Sequence, residues 1–278
     1  MKVLVTGANG MLGQDLCPIL EDENFEVIET DVDTLNITNP QNIEDVFNRE
    51  NPDIVIHCAA YTNVDKAEED LATARLINGV GTENIAKACK KTDATMVYIS
   101  TDYVFNGEGQ SPYKPTDKPD PLNNYGLTKL EGEKAVQDNL EKFYICRTSW
   151  LYGIHGKNFV ETMLSLSLKP ELKVVDDQVG CPTWTVELAN GIVKLLRNRS
   201  EYGIYHVCGG GQTSWCGFAK EIFHIAGLNV NIKPCTTEEF PRPAKRPRYS
   251  VMDNDKLCRN WKTALKDYMA LRPMEVEV

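Results

Sequence analysis

The sequence predicts an α/β fold built around a doubly wound parallel sheet, and three observations support this prediction. Short apolar segments alternate with longer segments of helical periodicity over roughly the first 150 residues, which is typical of successive βαβ units. A glycine-rich turn directly follows the first apolar segment, and small or hydroxyl-bearing residues follow the third and the fourth. Because the carboxyl ends of parallel strands meet at one edge of a sheet, these residues are expected to form one site in a Rossmann-like domain.

Five strands and four helices are expected in strict alternation. The strands are predicted at residues 2–6, 25–30, 53–58, 94–100 and 143–147. The helices are predicted at residues 14–20, 40–49 and 65–91, followed by one that includes residues 125–135. Pro40 suits the first turn of its helix, where a backbone N–H has no helical partner. Residues 106–124 form a proline-rich loop before the fourth helix, and loops of this length are often functional.

The first turn carries three glycines spaced three residues apart, Gly7, Gly10 and Gly13. Small residues let backbone amides approach a pyrophosphate, and the start of the next helix offers unpaired N–H donors. A tight strand-to-helix turn without a ligand is the alternative interpretation. The residues of this turn that we expect to contact a dinucleotide are Gly7, Asn9, Gly10, Met11 and Leu12.

Two further strand ends extend this prediction to a nicotinamide dinucleotide. Asp31 follows the second strand, where an acidic residue binds a ribose 2′-hydroxyl. The sequence has no lysine or arginine between Lys2 and Arg49, which favours NADH mildly over NADPH because a 2′-phosphate would find no local cation. After the third strand, the backbone is expected to lie against a flat cofactor at Cys58, Ala59, Ala60 and Tyr61.

A smaller second lobe is predicted beyond residue 150, where the alternation ends. Helices are expected at 158–168, 186–197, 215–226 and 262–271, with extended pieces near 172–175 and 204–207. We assign residues 1–150 and about 177–204 to a dinucleotide-binding domain. An interleaved C-terminal substrate lobe takes about 151–176 and 205–278. Within it, the basic segment 241–248 offers Arg246 or Arg248 to a diphosphate, or else is a solvated loop.

Tyr125 and Lys129 lie four residues apart in the fourth helix and therefore share one face. An ammonium group beside a phenol favours the phenolate, so we expect the pKa of Tyr125 to fall from its ordinary value of ~10. Such a tyrosine could act as a general acid towards a carbonyl oxygen. The same spacing also occurs by chance in many helices, so it needs support from the rest of the chain.

Composition and charge narrow the function classes. The formal net charge of −10 disfavours nonspecific binding to nucleic acid. The chain contains no run of about 18 apolar residues and starts directly with a strand, so we expect a cytoplasmic protein without a membrane span. Nine dispersed cysteines without a Cys-x-x-Cys pair, and four dispersed histidines, indicate neither a disulfide framework nor a structural metal.

The glycine turn, the hydroxyl after the fourth strand and the Tyr-x-x-x-Lys helix together resemble the extended short-chain dehydrogenase/reductase family. Further phrases resemble one of its branches, whose members reduce the C4 ketone of dTDP-4-dehydro-6-deoxy-L-mannose to dTDP-L-rhamnose with NADH or NADPH. These sequence segments lie at residues 59–68, 100–105, 125–133, 147–153, 158–160, 177–183 and 246–247. The resemblance therefore covers essentially the whole chain and implies a dTDP-sugar substrate.

The resemblance also implies a role for each matching residue. Tyr125 matches the catalytic acid, Lys129 its partner that also holds the nicotinamide ribose, and Thr101 the hydroxyl that binds the substrate carbonyl. Asn78 matches a structural asparagine. Substrate contacts are expected at Thr101, Asp102, Tyr103, Trp150 and Arg246.

The resemblance leaves the assembly open between a monomer and a homodimer. Some relatives form a dimer around magnesium held by glutamates. At or near those positions this chain has Asp15 and Glu187, so we expect no metal.

Two alternative functions are open. The first is another nucleotide-sugar ketoreductase, epimerase or dehydratase on the same fold. A dehydratase needs an Asp-Glu pair after the threonine, whereas Thr101 is followed by Asp102 and Tyr103, which counts against dehydration. The second is a noncatalytic dinucleotide-binding regulatory subunit, which the complete set of Thr101, Tyr125 and Lys129 disfavours.

Overall fold

A six-stranded parallel sheet with helices on both faces forms the centre of the molecule in the computed structural model, which describes residues 1–254 and 256–272. The spatial order of its strands is β10-β5-β4-β3-β1-β2. The strands in chain order are β1 (Lys2–Thr6), β2 (Glu26–Thr30), β3 (Ile54–His57), β4 (Thr95–Thr101), β5 (Phe143–Thr148), β6 (Leu151–Tyr152), β7 (Leu172–Val175), β8 (Val179–Gly180), β9 (Thr183–Trp184), β10 (Gly203–His206), β11 (Thr213–Ser214) and β12 (Ile232–Cys235). The predicted fold class is confirmed.

The helices occupy most of the predicted segments. In chain order they are α1 (Met11–Asp22), α2 (Pro40–Glu50), α3 (Lys66–Glu69), α4 (Leu71–Arg75), α5 (Thr82–Thr92), α6 (Asn124–Asn139), α7 (Phe159–Ser165), α8 (Thr185–Arg197), α9 (Trp215–Ala226) and α10 (Trp261–Leu271). A π-helix spans Leu76–Gly81, and a 3₁₀ turn spans Asp102–Val104. Among the described residues, no helix is both long and apolar enough to span a membrane.

The helical region predicted over 65–91 is present, but it consists of several segments. Asp70 leaves helical geometry, with φ −130° and ψ 63°, and its side chain accepts a hydrogen bond from the Thr73 amide at the start of α4. The helix then widens into the π-helix before α5 begins. Aspartate competes for backbone hydrogen bonds in this way and favours helix starts over helix interiors.

The sheet is buried on both faces, which explains why its strands read as continuous apolar runs. Side chains alternate across the sheet, so that Val3 and Val5 pack with α1 and α8 while Leu4 packs with α2 and α5 on the opposite face. A third apolar cluster lies beyond the sheet and joins α7, α9 and α10.

The C-terminal half contributes to both regions. Strand β10 pairs with β5 at the edge of the main sheet, and α8 packs against α1. Helices α9 and α10 belong to the third cluster instead. The division into a dinucleotide-binding domain and a substrate lobe stays a prediction, and residues 273–278 of that lobe lie outside the described residues.

A buried ion pair fastens helix α6 to the sheet. Arg147 on β5 donates from Nε to Glu133 Oε1 at 2.9 Å and from an Nη to Oε2 at 2.7 Å. Ser100 on β4 donates to the same carboxylate at 2.6 Å. The side chains of Arg147 and Glu133 are each 1% exposed, so neither charge can turn to water when its partner is lost.

We therefore predict that Glu133→Ala lowers the free energy of unfolding by about 3–5 kcal/mol, because it leaves the Arg147 charge buried and uncompensated. Urea titration of wild type and variant measures the difference. The matched control is Glu83→Ala, which removes an exposed i,i+4 pair with Lys87 and should cost less than about 1 kcal/mol. Equal losses in the two variants would contradict the prediction.

Candidate active site

A cavity of about 790 Å³ opens at the carboxyl edge of the parallel sheet. It brings together most of the residues predicted for cofactor binding, namely Gly7, Gly10, Met11, Leu12, Asp31, Cys58, Ala59, Ala60, Tyr125 and Lys129. It also brings together four residues predicted to contact substrate, namely Thr101, Asp102, Tyr103 and Trp150. Asn9, Tyr61 and Arg246 are not part of the described cavity wall.

The glycine turn has the geometry that a phosphate requires. Gly7 has a φ of +67°, and a Cβ at this position would lie 2.8 Å from the Ala59 backbone. A Cβ on Gly13 would lie 2.4 Å from the Ala8 carbonyl oxygen. Helix α1 begins directly after Gly10, and in the described chain no side chain caps it. Its first amides are therefore available to an anion, and these residues fit a dinucleotide pyrophosphate.

Asp31 lies on the cavity wall and is hydrogen-bonded to the glycine turn. Its Oδ2 accepts a hydrogen bond from the Asn9 amide at 3.0 Å, and its Oδ1 accepts one from the Val32 amide at 2.8 Å. Asn9 thus acts through its backbone and holds the carboxylate at the cavity wall. The resulting arrangement presents an anion, which suits hydroxyl groups better than a phosphate.

Asn78 ties the loop after β3 to helix α6. Its Oδ1 accepts from the Tyr61 amide at 2.8 Å, and its Nδ2 donates to the Tyr61 carbonyl at 3.2 Å and to Thr128 Oγ1 at 3.1 Å. The side chain is fully buried within the π-helix. Tyr61 is consequently held by its backbone and is placed beside the cavity wall, not on it.

Thr101 and Tyr125 meet where β4 ends. Helix α6 approaches the 3₁₀ turn so closely that a Cβ on Gly126 would lie 2.1 Å from the Tyr103 carbonyl oxygen. This contact places Tyr125 over the turn, with its ring edge-on to Tyr103 at a centroid distance of 5.6 Å. Thr101 Oγ1 accepts from the Tyr103 amide at 3.2 Å and donates to Asp102 Oδ1 at 3.1 Å.

The expected fall in the pKa of Tyr125 is wrong for this structure. Burial raises the pKa of Tyr125 to about 12, an interaction with the Thr101 hydroxyl acts in the opposite direction, and the charge of Asp102 adds to the rise. The ammonium group expected to oppose this is engaged elsewhere, because Lys129 Nζ donates to the Ile99 carbonyl at 2.6 Å. Tyr125 is therefore protonated at neutral pH, which is the form a general acid needs.

Burial also changes the pKa of Lys129. The side chain is almost entirely buried, and its Nζ lies 4.1 Å from the centroid of the Tyr98 ring. Burial lowers the pKa of Lys129 to about 7, although the Glu133 carboxylate acts to raise it. The group therefore changes charge close to neutral pH and responds to any charge that develops beside it.

Asp102 is a buried carboxylate that accepts a hydrogen bond from Thr101. It is 1% exposed, and Ser250 donates to its Oδ2 at 2.6 Å. Burial raises the pKa of Asp102 to about 6, although its hydrogen bonds with Ser250 and Thr101 act to lower it. Asp102 was predicted to contact substrate, and the structure places it on the cavity wall with both carboxylate oxygens already hydrogen-bonded. Its placement suits a residue that orients the Thr101 hydroxyl.

The basic segment folds against the start of α6. Arg246 forms an ion pair with Asp65, whose Oδ1 also accepts from the Ala244 amide at 3.2 Å. Arg248 is exposed and pairs with Glu238 at 3.0 Å. In the described residues both arginines thus have carboxylate partners, and a diphosphate role for either one stays a prediction.

Thr148 was missed by the sequence reasoning. It ends β5, pairs in register with Thr101 on β4 and lies on the cavity wall. Its hydroxyl is buried and has no hydrogen-bond partner in the described part of the chain, which is unusual for a buried polar group. No motif in the sequence marks Thr148 as a residue of the cavity wall. Only the register of β4 and β5 brings it opposite Thr101.

The two positions considered for a metal have other partners. Asp15 accepts a hydrogen bond from Thr185. Glu187 accepts from the Arg259 amide at 2.9 Å and from Arg259 Nε at 2.7 Å. Within residues 1–254 and 256–272, no group of three carboxylate, histidine or cysteine side chains is arranged to hold a metal ion.

The parallel sheet, the phosphate turn and the trio of Thr101, Tyr125 and Lys129 define a dinucleotide-binding protein of the extended short-chain dehydrogenase/reductase class. More narrowly, a family model described as the RmlD substrate binding domain matches residues 1–272, and the chain belongs to that family.

Similar proteins match over nearly the whole chain. The spore coat polysaccharide biosynthesis protein SpsK of Bacillus subtilis is 43% identical, with 98% of each chain covered. A crystal structure of a dTDP-4-dehydrorhamnose reductase from Clostridium acetobutylicum has 49% identity and a TM-score of 0.95, covering 98% of this chain and 99% of that one. A dTDP-4-dehydrorhamnose reductase from Bacillus anthracis in complex with NADP has 42% identity and a TM-score of 0.93, covering 97% and 98%.

The lowered pKa of Lys129 predicts how stability depends on pH. Between about pH 7 and its ordinary value of 10.5, the unfolded lysine holds a proton that the folded one releases. The free energy of unfolding of the wild type should therefore gain up to about 1.4 kcal/mol per pH unit from this group as the pH rises. Lys129→Met lacks this contribution.

Urea titrations of the wild type and of Lys129→Met between about pH 7.5 and about pH 9 measure this contribution. The free energy of unfolding of the wild type should rise relative to that of the variant as the pH rises. A parallel comparison with Lys87→Met, which changes an exposed lysine, should show a difference that does not change with pH. A constant difference for Lys129→Met would mean that the buried amine stays charged.

Proposed function

We propose that the protein is a dTDP-4-dehydrorhamnose reductase, which reduces the C4 ketone of dTDP-4-dehydro-6-deoxy-L-mannose to dTDP-L-rhamnose. The observation that carries the proposal is the placement of Tyr125, Thr101 and Lys129 together on the wall of a cavity that begins at the phosphate turn. Burial, which raises the pKa of Tyr125, supports its role as the acid. The full-length likeness to proteins of that name supports the choice of substrate.

The residues of the site perform complementary parts of one reduction. A bound nicotinamide supplies the hydride that adds to the ketone carbon. As the C=O double bond opens, Thr101 donates a hydrogen bond to the oxygen, and Tyr125 transfers its phenolic proton to the same atom. The ketone thereby gains one hydride and one proton and becomes an alcohol. Lys129, whose pKa of about 7 lets it take up a proton as negative charge develops beside it, would then stabilise the phenolate that remains.

The structure also bears on the competing functions. A dehydratase needs a free acid–base pair beside the tyrosine, and here Asp102 is buried and hydrogen-bonded to Ser250 and Thr101. A noncatalytic regulatory subunit would have no need of Thr101, Tyr125 and Lys129 together on one cavity wall. Both observations favour a reductase.

We also propose that NADH is preferred over NADPH. Asp31 presents a carboxylate where the adenosine ribose would lie, and Lys129 is the one cationic side chain on the described cavity wall. A 2′-phosphate beside Asp31 would meet a like charge, and two such charges about 4 Å apart repel by up to about 4 kcal/mol near a protein surface. The relative from Bacillus anthracis is described with NADP, so the preference of this chain needs its own measurement.

Purified protein, dTDP-4-dehydro-6-deoxy-L-mannose and a reduced cofactor should give a fall in cofactor absorbance. Tyr125→Phe should lower kcat by roughly 100-fold or more, because the proton donor is lost. Tyr202→Phe, which changes an exposed tyrosine, is the control and should leave kcat unchanged. Oxidation of neither cofactor by the wild type would favour the regulatory subunit, and an active Tyr125→Phe variant would refute the assigned acid.

Cofactor preference can be read from thermal stabilisation, because a ligand raises Tm according to its concentration relative to Kd. At equal concentrations, NADH should stabilise the wild type more than NADPH does. Asp31→Asn removes the repulsion and should shift the ratio of the two Kd values by roughly tenfold towards NADPH, about 1.4 kcal/mol. A wild type stabilised more by NADPH would reveal a 2′-phosphate site supplied by another part of the fold.

A further inference from the structure

Trp150 occupies an unusual position on the cavity wall. Its φ of +48° is in the left-handed region, which a bulky side chain rarely adopts. A Cβ on Gly180 would lie 2.6 Å from Trp150 Cε2, so only a residue without a side chain admits the indole here. Such a conformation persists when its surroundings hold it in place.

Trp215 supplies that support. Its ring stacks on the Trp150 indole with a centroid distance of 3.6 Å and an interplanar angle of 5°. The Phe159 ring also packs against Trp215, with a centroid distance of 4.6 Å. Trp215 is not part of the described cavity wall, so it reaches the cavity only through Trp150.

A chain of polar contacts fixes the orientation of Trp215. Its Nε1 donates to Gln178 Oε1 at 3.2 Å, and Gln178 Nε2 donates to Thr237 Oγ1 at 3.0 Å. Thr237 in turn donates to Asp177 Oδ1 at 2.7 Å. Asp177 and Gln178 belong to the segment 177–183 that carries the family resemblance, and no role was assigned to them. In the structure they hold the aromatic stack in place.

We propose that Trp215 and Gln178 are positioning residues for the substrate, holding the Trp150 indole as a flat wall against the sugar ring beside Thr101 and Tyr125. This inference rests on the proposed function. A sugar ring offers C–H faces to an aromatic surface, and a rigid indole presents that surface at little entropic cost. Movement of such a wall by about 1 Å is enough to misplace the ketone.

The first experiment separates the sugar from the rest of the ligand. Calorimetry compares binding of dTDP-L-rhamnose and of dTDP to the wild type, Trp215→Leu, Trp215→Phe and Gln178→Leu. Trp215→Leu should weaken dTDP-L-rhamnose binding by roughly tenfold or more and leave dTDP binding within about twofold. Trp215→Phe keeps a flat ring and should recover most of the loss, whereas Gln178→Leu should fall between the two.

Kinetics provides the second readout. In Trp215→Leu, the KM for the dTDP-sugar should rise while the KM for NADH stays the same, since the phosphate turn is untouched. The control is Trp261→Phe, which alters an indole of the same apolar cluster outside the stack and should change neither constant. Loss of the circular-dichroism signal of the stacked indoles confirms that Trp215→Leu has removed the stack.

The outcomes separate the two proposals. Unchanged binding of dTDP-L-rhamnose after loss of the stack, or an equal loss for dTDP, overturns the positioning role. Equal increases in both KM values overturn it as well, because they indicate a general loosening of the site. A wild type that binds dTDP-L-rhamnose without oxidising either cofactor would reject the reductase, while the calorimetric comparison still decides the role of Trp215.

Discussion

The buried ion pair between Arg147 and Glu133 is the interaction on which the rest of the site depends. It joins β5 to α6, and Ser100 adds β4 to the same carboxylate. Helix α6 carries Tyr125 and Lys129, and β4 ends in Thr101. A buried charge costs several kcal/mol unless it is paired. A shift of α6 along the sheet would separate the two charges, so the pair favours a single position of the helix. The ion pair therefore constrains how Tyr125, Lys129 and Thr101 lie relative to one another.

Burial gives those side chains properties that differ from their behaviour in water. It keeps the phenol of Tyr125 protonated and brings the pKa of Lys129 close to 7. The same exclusion of water strengthens any interaction with charge that develops on a substrate oxygen. The site thus combines an acid that retains its proton with an amine whose charge adjusts to its surroundings.

Two parts of the cavity wall depend on glycine. At the phosphate turn, glycines remove side chains so that backbone amides can approach a ligand. At Trp150, Gly180 removes a side chain so that an indole can occupy a strained position. In both places, a missing Cβ allows a close approach that a larger residue would prevent.

Local patterns were sufficient to predict the alternating strands and helices, the glycine turn and the presence of Tyr125 and Lys129 on one helix at the cavity wall. Each of these depends on short-range periodicity or on steric rules for glycine. The break at Asp70 and the π-helix around Asn78 were not predicted. At Asp70 the side chain accepts a hydrogen bond from the nearby Thr73 amide, and at Asn78 the side chain bonds to the distant Thr128, so side-chain contacts override helical periodicity at both places. The direction of the Tyr125 pKa was also mispredicted, since the spacing that pairs it with Lys129 contains no information on burial.

The sequence by itself determined the fold class and the family, and it supplied the residues proposed to carry the chemistry. The tertiary structure decided how those residues are used. It engaged Arg246 with Asp65, placed the buried Thr148 hydroxyl opposite Thr101 and stacked Trp215 behind Trp150. These outcomes depend on contacts between segments far apart in the chain, and the energy of such contacts is set by burial and geometry, which no local pattern records.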